Sequence, residues 1–249
     1  MKINTNNFKE VIRKATFNNS IDNVQLVLTR EKIQSKMISS SRDVVATLNI
    51  DNNVLNGLKK DEVISLNFTE PSQSLIPFLN LIDEEESDIK IYDEKITIIS
   101  DTQRSNIHFC SPNIVSVFPQ GAPKDDVSYF LEMKLFDDFI SKMIKIKKIS
   151  ARFKNIYFNV EDSVFSVETT DKTNRFSNGL KFDLLDMSGV NDLTICFDQI
   201  NITNILTIMG NDYDQFRFDF SYIEDVKLGM IYIHNSNDTE RYYIMSKME

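Results

Sequence analysis

Cysteine, glycine, proline and histidine are all scarce in this chain of 249 residues, and tryptophan is absent. Two cysteines, Cys110 and Cys196, are too few for a disulfide framework, so the expectation is a reduced, intracellular chain with both residues packed as small hydrophobes. With only six glycines there is no G-x-G-x-x-G loop, no Walker lysine loop and no G-x-S-x-G elbow. The phosphate-cradling and hydrolase classes that depend on those loops lose their footing. His108 and His234 sit in unrelated strand patterns, which disfavours a histidine metal cluster or a histidine-based triad and leaves each as an ordinary strand residue. No apolar run approaches the roughly 18 residues of a membrane span. The opening MKINTNNFKEVIRK lacks the apolar core and the cleavage site of a secretion signal, so a soluble chain is expected. Positive charge is also short, with 28 basic against 37 acidic side chains and a net charge of −9.

What is present is a folded composition, 41% apolar with charge interspersed, and a length that suits two small domains or one large one. The stretch SPNIVSVFPQGAPKDDV, residues 111–127, holds three of the five prolines and reads as a linker. On either side of it apolar positions coincide at a shift of about 127 residues, the signature of a duplicated plan. Leu66 falls on Leu193, Phe68 on Ile195, Leu79 on Leu206 and Ile82 on Met209, while Phe8 and Ile12 answer to Phe136 and Ile140. Period-two runs of β-branched and aromatic residues mark strands, among them Val24, Leu26 and Leu28, then Val44, Ala46, Leu48 and Ile50, then Ile156, Phe158 and Val160. Asn- and Asp-rich turns such as 51–53 and 161–163 supply turn conformations in place of glycine. Helical periodicity is confined to four segments, 6–18, 71–82, 134–146 and 198–209. The expected fold is α+β with mainly antiparallel sheets, in two similar domains, 1–112 and 128–249, joined by 113–127.

The few cations are segregated. Residues 1–20 carry four basic side chains and one acidic, and residues 134–153 carry six and two, which leaves the other 209 residues at −16. Both clusters fall on the first helix of a half. At about 100° per residue, Phe8, Val11, Ile12 and Ala15 form one apolar stripe, with Lys9, Arg13 and Lys14 away from it. In the second half Phe136, Phe139, Ile140, Met143 and Ile146 form the stripe, and Lys142, Lys145 and Lys148 lie opposite. One such helix reads as a solvated face; two equivalent ones in an otherwise negative chain read as a surface for phosphates. The second helices are almost uncharged, so polar groups such as Gln73, Asn80 and Asn204 are expected to face water or the same ligand. The acidic run Asp83–Asp88 lacks the alternating spacing of a calcium loop and reads as a solvated turn. No catalytic constellation emerges, and neither a metal nor a cofactor is expected.

Local motifs carry a family resemblance. Ile38-Ser39-Ser40-Ser41-Arg42-Asp43-Val44-Val45 is similar to an apolar-Asp-x-Ser-basic-Val segment, with Ser39 in place of the acid. Asp225-Val226-Lys227-Leu228 is similar to D-V-P-L with Lys227 for proline, and Tyr242-Tyr243-Ile244-Met245-Ser246-Lys247 resembles Y-Y-L-A-P-K. In their order, and with two halves and a proline-bearing connector, they make the whole chain resemble the DNA sliding clamps of the proliferating cell nuclear antigen and phage type. The resemblance implies a homotrimeric ring around double-stranded DNA, with antiparallel sheets outside, two helices per domain inside, and subunits joined through edge strands at 104–111 and 175–182. It implies a processivity factor that serves a DNA polymerase and is placed by a clamp loader at the site of replication, here of viral or phage character. Lys9, Arg13, Lys14, Lys142, Lys145 and Lys148 would face DNA. A client peptide would dock on Ile38, Val45, Val117, Phe118, Tyr243, Ile244 and Met245. The alternatives are a clamp-fold processivity or transcription factor that acts without closing a ring, and an unrelated α+β enzyme.

Overall fold

The period-two runs fold into antiparallel strands. The computed structural model describes residues 1–101, 103–115, 127–134, 137–149, 153–174 and 177–247. Val117 and Phe118 of the expected peptide site lie outside these, as do Phe136 and Arg175. Contacts divide the chain into two units, Met1–Ala122 with Asn237–Arg241, and Pro123–Ser236 with Tyr242–Glu249. The first runs β1 (Lys2–Asn4), α1 (Thr5–Ala15), β2 (Asn23–Leu28), β3 (Lys32–Ile38), β4 (Val44–Asp51), β5 (Leu55–Asn56), β6 (Ile64–Thr69), the single turns α2 (Pro71–Ser74) and α3 (Ile76–Leu79), β7 (Glu86–Ile91), β8 (Lys95–Ile99) and β9 (Arg104–His108). The second repeats that order without a counterpart of β5. It runs β10 (Leu131–Lys134), α4 (Asp137–Ile149), β11 (Asn155–Glu161), β12 (Val164–Thr169), β13 (Leu180–Asp186), β14 (Leu193–Asp198), α5 (Gln199–Met209), β15 (Phe216–Ile223), β16 (Leu228–Asn235) and β17 (Glu240–Met245).

In the first unit the strand neighbours are β5-β1-β7-β8-β9 and β4-β3-β2-β6; in the second they are β13-β12-β11-β14 and β10-β15-β16-β17. The fold is α+β, as the strand and helix periods imply. The register shows how the halves correspond. Leu26 pairs with Leu66 and Val24 with Phe68, while Phe158 pairs with Ile195 and Ile156 with Phe197. Phe68 therefore answers to Phe197, the next inward position beyond the Ile195 that a single shift selects. A uniform shift fails because turns of different length separate the strands, whereas the in-out alternation survives.

Helix α1 is capped by Asn4, whose side chain accepts from the Asn7 amide at 2.9 Å. It buries Phe8, Val11, Ile12 and Ala15, the stripe read from the wheel. It stops at Ala15 because Phe17, Asn18 and Asn19 all take positive φ, 48°, 49° and 78°, a left-handed turn in which asparagine is tolerated. Phe139, Ile140, Met143 and Ile146 are the buried face of α4. Helix α5 starts on its Asp198 cap, which accepts from the Ile200 amide at 3.1 Å. The helix expected over 71–82 is instead two separate turns. Pro77 has no N–H to return to Gln73, so the run of helical bonds is interrupted and the two turns meet at Leu75, whose φ of −118° lies outside the usual helical range. Among the described residues no helix is long and apolar enough to cross a membrane.

Candidate functional site

The six candidate DNA-facing cations do not share one environment. Lys9 is half-buried and borders a hollow of about 330 Å³ with Arg13, Asn18, Asn19, Ser72 and Asn80. Arg13 is gripped by Glu10 one turn earlier on α1, with Nε–Oε2 at 2.9 Å and Nη2–Oε1 at 2.6 Å. Lys14 lies 2.6 Å from Glu240 in a pair whose side chains are 20% and 10% exposed, so its charge is matched within the fold. On α4, Lys142 is 2.8 Å from Asp138 and donates to the Asp183 carbonyl at 2.7 Å. Lys145 and Lys148 are exposed, the former 5.8 Å above the Phe182 ring. Lys147 reaches across to α5, donating to Thr207 at 2.8 Å. Lys9, Lys145 and Lys148 thus have no ion pair among the described residues, while Lys14 and Lys142 are engaged. Gln73 and Asn80 face solvent as expected, but Asn204 is buried and presents nothing outward.

The residues assigned to a client peptide divide by depth. Ile38 and Met245 are half-buried at strand ends, whereas Val45, Tyr243 and Ile244 are buried, Ile244 completely. The last three are covered because β4 at 44–46 and β17 at 242–244 are buried on both faces, so alternation leaves no outward position there. Ile114 of the connector is exposed. A small cavity of about 130 Å³ lies close by in sequence terms, lined by Thr194, Ile195, Cys196, Tyr222, Lys227, Ser246 and Lys247. Ser246 pins the tail there: its Oγ accepts from the Gly229 amide at 2.8 Å, and its own amide donates to the Gly229 carbonyl at 2.8 Å. Lys247 completes the seam by contacting Asn155 at 2.6 Å and Asp198 at 3.1 Å.

Two edge strands were expected to carry subunit contacts. β9 closes one side of the five-stranded sheet, and β13 closes one side of the four-stranded sheet. The first is Arg104–His108 rather than 104–111: Phe109 still bonds Glu94 in the β8–β9 register, and the Cys110 amide then turns to the Asn67 carbonyl. The second begins at Leu180 and continues to Asp186, so the expected segment 175–182 covers only its start.

No protein-family model matches the chain, and no curated protein matches it in sequence. Solved structures do match. The PCNA of A. fulgidus, determined with the C-terminal region of FEN-1 bound, superposes with a TM-score of 0.65 over 100% of this chain and 98% of its own, at 10% identity. The PCNA of Entamoeba histolytica gives 0.63 over 99% and 98% at 13% identity. The DNA polymerase III subunit beta of Pseudomonas aeruginosa gives 0.70 over 100% of this chain and 66% of its own, at 12% identity. This chain has the sliding-clamp fold. It spans about two thirds of the bacterial clamp subunits and nearly the whole length of the PCNA chains.

Within the clamp fold, sequence reasoning missed one polar cluster. Asp219 on β15 is buried, 3.2 Å from His234 and 3.9 Å from Arg217, which also reaches Glu132 at 3.2 Å. Burial pushes the Asp219 carboxyl above the ordinary range, against the opposing pull of Arg217 and His234. Tyr232 stacks on His234 at 4.7 Å and on Tyr243 at 4.8 Å. His234 is therefore part of a network, not an isolated strand residue. The available signal was the alternation of Arg217, Asp219 and Ser221 opposite the Phe216, Phe218 and Phe220 face.

Proposed function

We propose that this protein is a DNA sliding clamp, a ring of identical copies around duplex DNA that tethers a DNA polymerase and other replication proteins without catalysing a reaction. What supports this most is the likeness to PCNA over the full length of both chains. The trimeric state, loading by a clamp loader and a viral or phage setting belong to the same proposal. A closed ring is held by topology, so its cations need only weak, mobile phosphate contacts, and an acidic remainder discourages stray binding of nucleic acid. Lys145 and Lys148 on α4 and Lys9 on α1 are the available contacts, with Arg13 beside Lys9; Lys14 serves Glu240. Of the residues assigned to a client peptide, Ile38 in the first unit and Met245 in the second are the ones that keep apolar surface exposed for it.

The test combines mass and topology. Sedimentation should give a closed oligomer, and the clamp loaded on nicked circular DNA should survive a salt wash that removes it from linear DNA. A monomer, or equal loss from circle and line, rejects ring closure and leaves a clamp-fold factor held by charge alone. Lys145→Glu with Lys148→Glu should lower loading and processive synthesis about tenfold by losing two phosphate contacts per copy. Oligomer mass and circular dichroism should stay unchanged. Undiminished processivity removes α4 from the DNA interface.

A further inference from the structure

An open strand edge presents unpaired N–H and C=O groups, and each edge of this fold disposes of them in its own way. On β6 the Asn67 carbonyl accepts from the Cys110 amide at 3.0 Å, and on β14 the Cys196 carbonyl accepts from the Lys247 amide at 2.7 Å. β5 has two residues and β10 four. The remaining edges are β9, of five residues, and β13, of seven. Ser100 bonding to Gln103 and Phe109 to Glu94 fix the alternation in the β8–β9 ladder, so Ser105 and Ile107 bond inward. Arg104, Asn106 and His108 therefore turn their backbone groups to the open side. By the same alternation, after the register shift at Phe165/Ser166, Lys181 and Asp183 turn theirs outward from β13.

One of those outward groups is already taken. The Asp183 carbonyl accepts from Lys142 Nζ at 2.7 Å, and Lys142 is steadied by Asp138 at 2.8 Å. Lys145 lies over Phe182, so α4 shields the middle of this edge. Charge identifies what would replace the shield. Antiparallel addition of β9 from a second copy brings Arg104 to the end of β13 that carries Asp186, whereas parallel addition brings it to Lys181. Antiparallel pairing centred on Asp183 sets the Asn106 N–H towards the carbonyl that Lys142 holds.

We infer that Lys142 is an edge guard: it caps the β13 acceptor in the unassembled chain and must yield it when β9 of a second copy docks there. This rests on the ring reading. It takes Lys142 out of the DNA-contact set and makes it a brake on self-association. Lys142→Met keeps the stem and removes the competing donor, and Lys142→Gln does so with a polar end. In sedimentation equilibrium of the full chain over a range of concentrations, both should tighten assembly about fivefold relative to wild type. Assembly unchanged or weakened in both variants, with wild type still forming oligomers, overturns the guard and leaves the ring standing. Wild type and variants all monomeric at every concentration overturn the ring reading, and the guard with it.

Discussion

Asn106→Pro should leave the chain folded and monomeric, with subunit affinity roughly a hundredfold weaker, about 3 kcal/mol. Ser105 and Ile107 make the bonds that hold β9 to β8, so proline at Asn106 removes no ladder donor within the chain. What it removes is an N–H on the open side, and its ring occupies the line of approach of a neighbouring strand. Proline is tolerated on edge strands for the first reason and blocks strand addition for the second. The substitution also deletes the Asn106 side chain, to which buried Thr97 donates at 2.7 Å, at a cost of about 1–2 kcal/mol to the fold. Asn106→Ala separates the two effects, because it loses that bond and keeps the N–H. Sedimentation and retention on circular DNA should show Asn106→Ala assembled and Asn106→Pro dissociated. If both variants assemble like wild type, β9 is not a subunit edge.

The amphipathic character of α1 and α4 was legible because burial follows periodicity. All four stripe residues of α1 are buried, as are Phe139, Ile140, Met143 and Ile146 on α4. The break at Pro77 was legible too, since proline's missing donor is a property of the residue itself, but the apolar period over 71–82 outweighed it. What periodicity cannot supply is the fate of each cation. Lys14 meets a carboxylate 226 positions away, and Lys142 a carbonyl 41 positions away, through pairings that exist only once the sheets are assembled. A wheel separates a lysine from the apolar stripe but cannot tell phosphate-facing from sheet-facing among the remaining directions.

The residues assigned to a client peptide show the same division on strands. β17 is buried on both faces from Tyr242 to Ile244, which makes Ile244 a poor probe of docking although it falls within the tail motif. The Ser246–Gly229 seam arises from two segments brought side by side, and a side chain at Gly229 would put its Cβ 2.2 Å from Ile195. That contact explains why glycine follows Leu228 there, through a crowding that neither segment discloses alone.

Phe220→Ala should cost the fold about 3–5 kcal/mol, the largest stability loss expected of a single truncation in the second unit. Phe220 is fully buried, with ring centroids 5.0 Å from Phe158, 5.2 Å from Phe165, and 6.4 Å from Phe218 and Phe130. The cavity would therefore open at the centre of four other rings, of which Phe158, Phe165 and Phe218 are held by β11, β12 and β15 and cannot all move in to fill it. Phe220→Leu retains much of the volume and should lose less than half as much. Urea denaturation followed by circular dichroism reads the difference as a shift in midpoint at constant slope. The functional consequence runs through Phe165, where the β12–β13 register shifts. A loosened Phe165 frees the strand that orders β13, so Phe220→Ala should also weaken self-association while leaving β9 untouched. Lost stability with assembly unchanged would separate the aromatic cluster from the β13 edge and confine its role to the core.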